Sequence, residues 1–160
     1  MEEDKLTDKY EIFNKISDKI NSTYIYSPAQ LAYAGDAVFE LLVRSYVLNN
    51  YDISVNQMHR LTVKFVKAKA QAYIVSQLTN VLSEEEKKIV KRGRNAKVTS
   101  SPKNVEFMDY RYATGFEALF GYLFLNKDID RLMYIFDKVI DIIVEKDGKI
   151  ENNRRKESGN

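Results

Sequence analysis

The chain has 160 residues, 44% of them hydrophobic and 30% charged, with 6 Gly, 2 Pro, no Cys and one His. That is the make-up of one globular domain rich in long helices, and it excludes disulfide scaffolds, thiolate metal sites, cysteine nucleophiles and His-rich metal centres. The net charge of +2 conceals an uneven distribution: +7 falls between Lys87 and Lys103, which contain no acid, so the rest of the chain carries −5.

The N-terminus, MEEDKLTDKYE, has no apolar run behind it, and no stretch reaches the length of a membrane span. The expectation is a cytoplasmic chain without a signal peptide. In residues 5–20, Leu6, Tyr10, Phe13, Ile16 and Ile20 recur at helical spacing and predict an amphipathic helix, so 1–26 reads as an N-terminal helical extension. Ser27-Pro28 is a cap followed by proline at the first helical position, and opens a helix predicted to end at Asn49. Leu31, Val38, Leu41, Leu42 and Ser45 are expected to share its buried face. Residues 56–82 read as one long helix or two consecutive ones.

Ser83 with Glu86 three residues on forms a capping box, and the helix it starts is predicted to stop near Arg92 with Gly93 just beyond its end. Residues 93–110 read as a long basic loop. Helices follow from Ala113 to Leu125 and from Asp128 to about Lys146, and 147–160 read as a polar, disordered tail. No strand alternation appears. The expected fold is all-α, with six or seven helices and a main domain over 27–146.

Three features could carry chemistry. Asp36 lies in the apolar, Ala/Gly-rich helix LAYAGDAVFELLVR, where a buried, unpaired carboxylate costs several kcal/mol; it either faces solvent at the helix edge or serves a site. Glu117 is the only charge between Arg111 and Lys127, and is either one exposed acid or a paired or metal-bound one. The basic stretch, with Lys91, Arg92, Arg94, Asn95, Lys97 and Lys103 among Ser and Thr, is either solvated surface or a phosphate-binding face. It has no Walker pattern. Together the three features suggest carboxylates for Mg²⁺ or Mn²⁺ beside a phosphate-binding surface, a set suited to phosphodiester hydrolysis. His59 sits among polar residues and reads as a surface or packing residue.

LAYAGDAVFELLVR and FEALFGYLFLN resemble the two acidic motifs of the ribonuclease III family. The intervening KRGRNAK, the PKN at Pro102–Asn104 and YRYATGFEAL are similar to its compact mini-ribonuclease III branch, which lacks a double-stranded RNA-binding domain. The resemblance spans about Ser27 to Lys127. It implies a ribonuclease III-type endonuclease domain that cuts double-stranded RNA to leave 5′-phosphate ends. Asp36 and Glu117 would be catalytic and hold the metal, and the basic residues would grip the RNA backbone. The branch also implies maturation of the large-subunit ribosomal RNA precursor. The chain departs from the family at Ala32, Thr114 and Lys69, where carboxylates are expected. A catalytically silent RNA-binding module on the same fold is therefore the alternative. The resemblance further implies a homodimer in which Tyr33 packs into the partner, against the plain alternative of a core aromatic.

Overall fold

The computed structural model describes residues 11, 15–16, 18–19, 25–98, 100, 103 and 105–157, with side chains as far as 148. The helix expected over 5–20 lies largely outside the described residues. Six helices follow: α1 Pro28–Asn50, α2 Val55–Val66, α3 Ala68–Gln77, α4 Glu84–Arg94, α5 Phe107–Leu125 and α6 Ile129–Glu157. The described residues contain no strand, as expected. None of the helices is long and apolar enough to cross a membrane.

α5 is the central element and packs against α1, α3, α4 and α6. Its buried residues, Ala113, Gly115, Phe116, Ala118, Leu119, Phe120, Gly121 and Leu123, encircle it almost completely. That is why its sequence is apolar all round. Phe39 of α1 meets Phe116 and Phe120 edge-on, with ring centroids 4.7 and 5.0 Å apart, and this aromatic knot anchors the core.

α1 and α5 cross in direct backbone contact. A Cβ on Gly35 would stand 1.7 Å from the Glu117 carbonyl oxygen, and one on Gly121 would stand 1.9 Å from that of Leu31. Two glycines thus replace the usual side-chain spacer. α4 approaches α5 in the same manner, with Gly93 against Gly115 and Ala118.

Several boundaries differ from expectation. The buried row of α1 is Leu31, Ala32, Gly35, Phe39, Val43 and Val47, whereas Leu41 is 58% exposed. An i, i+4 row forms the ridge that fits α5; of the expected face, Leu31 lies on it, Val38 and Leu42 pack half-buried against the core, and Leu41 and Ser45 are exposed. The 56–82 stretch resolves into α2, α3 and a turn. Buried Thr62 and Phe65 would lie roughly 180° around a continuous helix from Ala70, Ile74, Val75 and Leu78, and the extended backbone at Lys67 turns both stripes to the core. α4 runs through Gly93 to Arg94, because that glycine serves helix contact and not termination. α5 starts at Phe107, six residues early, without a side-chain cap to announce it. α6 continues to Glu157, across most of the segment expected to be disordered.

The predicted capping box has a partner across the fold. Glu86 is 5% exposed; it receives the Ser83 N–H and a two-pronged pair from Arg131 of α6 at 2.7 and 2.8 Å. Arg131 also donates to the Val81 carbonyl at 2.8 Å. The Arg131 hydrogen bonds hold the Glu86 carboxyl below its ordinary value. Glu86→Gln should cost about 2–3 kcal/mol by urea unfolding, the low end for a broken buried pair because Arg131 is 28% exposed. Glu84→Gln, on a pair partner that is 85% exposed, should change little. The Glu86 contribution is present above the ordinary glutamate pKa and disappears as pH falls through the lowered one.

Candidate functional site

Asp36 stands on the α1 turn beside the Gly35 crossing, and Glu117 on the α5 turn that it crosses. The close approach of the two backbones brings carboxylates 81 positions apart in sequence to one cavity of about 280 Å³. Its lining includes Tyr33 on α1, Thr114 and Arg111 on α5, and Arg94 and Lys97 at and after the end of α4. Ala32 and Thr114, the positions where family carboxylates were expected, line this same cavity.

Burial pushes the Glu117 carboxyl up to about 8; the Asp36 charge adds to the shift and the Gln71 amide draws it back. Partial burial, then Glu40, raises Asp36 from its ordinary value. Gln71 of α3 is 1% exposed, and neither terminal atom of its amide makes a hydrogen bond of normal geometry within the chain. A buried amide without a well-formed hydrogen bond is costly, and the Glu117 carboxyl is the group beside it that it can serve.

The basic residues divide. Arg94 and Lys97 reach the acidic cavity, whereas Lys91, Arg92, Asn95 and Lys103 do not line it and are exposed around the end of α4 and the following loop. Asn95 caps α4, and its Oδ1 accepts from the Arg111 guanidinium at 3.3 Å. Tyr33 is 86% exposed, which removes the core-aromatic reading. His59 is exposed and borders a different, shallow depression with Leu48 and Val55.

Sequence reasoning missed Arg111 and Gln71. Arg111 donates from Nε to the Arg94 carbonyl at 2.7 Å and fixes the corner where the basic loop leaves α4. Its spacing of three and six from Thr114 and Glu117 was the available signal, hidden by placing the helix start too late. Gln71 lies between Ala70 and Ile74 on an apolar face, and that placement was its signal.

Residues 29–128 match the model of the ribonuclease III domain. A mini-ribonuclease 3 from Thermoanaerobacter sp. (strain X514) is 50% identical over 119 residues, covering 74% of this chain and 84% of the relative. One from Staphylococcus aureus is 37% identical over 128 residues, covering 79% and 96%. A crystal structure of a Fusobacterium nucleatum protein superposes with a TM-score of 0.65 at 33% identity, covering 76% of this chain and 94% of the other.

Proposed function

The chain belongs to the ribonuclease III family and is an endoribonuclease; from that premise we propose that it is a Mg²⁺-dependent enzyme that cuts double-stranded RNA at the Asp36–Glu117 cavity. The observation that carries the reading is the convergence of these two carboxylates with Arg94 and Lys97. The substrate proposed from the branch is the precursor of large-subunit ribosomal RNA. The relatives are bacterial, and in bacteria that precursor is made in the cytoplasm, where we place the chain.

The donor set fits such an ion. Mg²⁺ commonly takes one or two carboxylates and completes its shell with water and substrate phosphate oxygens. Asp36 and Glu117 supply the two; among the described residues no cluster of three or more His, Cys, Asp or Glu forms. Mn²⁺ suits the same oxygens. When bound, the ion supplies charge for the scissile phosphate and lowers the pKa of the attacking water. Asp36 and Glu117 would hold it, and the Gln71 amide, which draws the Glu117 pKa back down, would favour the carboxylate form. Arg94 and Lys97 neutralise the phosphate that enters, and Arg111 keeps Arg94 in place. Water oxygen bonds to phosphorus, the P–O3′ bond breaks, and O3′ leaves as a hydroxyl, so the new end carries a 5′-phosphate.

Duplex RNA is read by shape and by phosphate and 2′-hydroxyl contacts, which the exposed Lys91, Arg92, Asn95 and Lys103 would supply. Two such sites in a homodimer would cut both strands. The exposed apolar stripe on α1, with Tyr33, Leu41 and Leu48 at 86, 58 and 67% exposure, supports a second copy as its cover.

The test is incubation of a labelled RNA duplex with the protein in Mg²⁺ and in EDTA. Cleavage confined to Mg²⁺ is the expected result. Binding without cleavage in both Mg²⁺ and Mn²⁺ would establish the silent module, the second reading, which Ala32 and Thr114 favour by placing no carboxylate in the cavity.

Lys97→Ala should flatten the salt dependence of duplex binding by about one log unit per lost phosphate contact, and Arg94→Ala should add to it. Lys97 is the cleaner test, since Arg94 also stacks over Tyr112 at 5.4 Å. An unchanged slope in both variants would take the loop off the RNA.

The Glu117 carboxyl also sets a pH dependence. Its pKa rises from 4.5 to about 8 on folding, so the folded chain keeps a proton that the unfolded chain loses. Stability without metal should fall as pH rises from about 4.5 to about 8, and then level off. A divalent ion displaces that proton, so Mg²⁺ should raise the melting temperature more at the upper end of this window than at the lower. An equal rise at both ends would remove Glu117 from the ion's ligands.

A further inference from the structure

A second cavity, larger than the acidic one, lies among the described residues. A pocket of about 690 Å³ opens between α3, α4, α5 and α6, on the other side of Arg94, which lines both. From its lining and charge we infer that it is a binding site for an unpaired nucleotide, with the base inside and the phosphate at the rim. This goes beyond duplex cleavage and stands without it.

The size lies in the range of pockets that enclose small organic ligands. Ala72, Val75, Leu82 and Val90 supply an apolar lining that a planar base can cover. Tyr73 and Tyr112 wall it, and each carries a cation: Lys146 Nζ lies 4.1 Å from the Tyr73 ring centroid, and the Arg94 guanidinium 5.4 Å from that of Tyr112. Lys69, Lys87 and Lys91 complete a rim of five cations with one acid, Asp109, in the lining; Lys87 is paired with Glu84 at 2.9 Å, and the other four keep the rim positive. Such a rim selects an anion, and the apolar and aromatic interior selects one with a ring attached.

The remaining polar groups separate a nucleotide from a plain anionic amphiphile. The Ser76 hydroxyl donates to the Tyr73 carbonyl at 2.6 Å, and the Thr79 hydroxyl to that of Ser76 at 3.1 Å. Their protons are committed, so Thr79 Oγ1 and the remaining lone pair of Ser76 Oγ, which also accepts from Gln77 Nε2 at 3.3 Å, are open to a ligand, as is the Asp109 carboxylate. An acceptor set of this kind suits the amino and ring N–H groups of a nucleobase and repels an alkyl carboxylate. The shared Arg94 wall puts the pocket next to the proposed cleavage cavity, where an unpaired nucleotide flanking a duplex would lie; a free nucleotide has the same chemistry.

The experiment measures two kinds of ligand on the full chain in EDTA: the four ribonucleoside 5′-monophosphates by calorimetry, and an RNA duplex with or without a short single-stranded overhang by anisotropy. Each is repeated with Ala72→Phe, which fills the pocket, and with Lys69→Ala, which removes one exposed rim charge and adds no acid. If free nucleotides suffice, at least one monophosphate binds the wild type and weakens by about fivefold or more in both variants. If the ligand is part of the RNA, the overhang tightens duplex binding in the wild type by a similar factor, and the variants lose that gain while binding the blunt duplex normally. No monophosphate binding together with no overhang effect overturns the inference. So does inorganic phosphate displacing the monophosphates at equal concentration, because that reduces the pocket to a charged rim. Should Ala72→Phe unfold, Lys69→Ala decides alone. Loss of cleavage of the blunt duplex by the wild type would count against the proposed function and leave this result standing.

Discussion

Substituting Asp36 by Asn is expected to reduce cleavage of duplex RNA in Mg²⁺ by about 10³-fold or more, with the fold and duplex binding retained. The magnitude follows from removing one of two charged ligands of an ion that contributes several kcal/mol to the transition state. Retention of the fold follows from the environment of the side chain. Partial burial and Glu40 raise the Asp36 carboxyl, so the folded state favours its neutral form. An isosteric neutral amide relieves that strain, and the melting temperature should hold or rise slightly. The same change removes the Asp36 charge from Glu117, whose carboxyl should move down from about 8. Single-turnover cleavage, thermal melting and duplex binding on one preparation distinguish the outcomes. Activity within tenfold of the wild type would remove Asp36 from the chemistry. Loss of activity with loss of fold would mean that the residue is structural.

The second large effect belongs to Gly35. Gly35→Ala places a methyl group 1.7 Å from the Glu117 carbonyl oxygen and 2.6 Å from the Gly121 nitrogen, and both atoms are backbone held in α5. No rotamer change can relieve the contact, so α1 and α5 must separate along their whole crossing. Overpacking usually costs 1–3 kcal/mol and more where nothing yields; here about 3 kcal/mol or more is expected, a drop of roughly 10 °C in melting temperature. Activity should fall further than stability, because the crossing holds Asp36 and Glu117 together. Gly148→Ala is the internal control: its added methyl group meets nothing within 4 Å, so helix propensity alone should make it neutral or stabilising by up to about 1 kcal/mol. A Gly35→Ala protein that melts with the wild type would contradict the backbone-contact description of the crossing.

Much of this was legible in the linear sequence. A serine cap followed by proline marked the start of α1, and a serine cap with its glutamate partner three residues on marked that of α4, because capping is settled within one turn of helix. The apolar run around Glu117 announced a helix buried on all sides. Asp36 and Glu117 stood out as carboxylates in apolar surroundings, and the family motifs tied them to one another. The tertiary structure alone decided which row of α1 faces inward, since packing against α5 selects a ridge among several apolar ones. It broke the chain at Lys67, where two apolar stripes on opposite sides of one helix cannot both reach a single core. It kept Gly93 inside α4 and gave Glu86 its Arg131 partner 45 positions away. It also brought Arg111 to the acidic cavity and Gln71 beside Glu117, and excluded Lys91 and Arg92. Local signals record hydrogen bonds that close within a turn or two. Burial, pairing and the walls of a cavity are set by which helices meet, and those contacts leave no mark at any one position of the sequence.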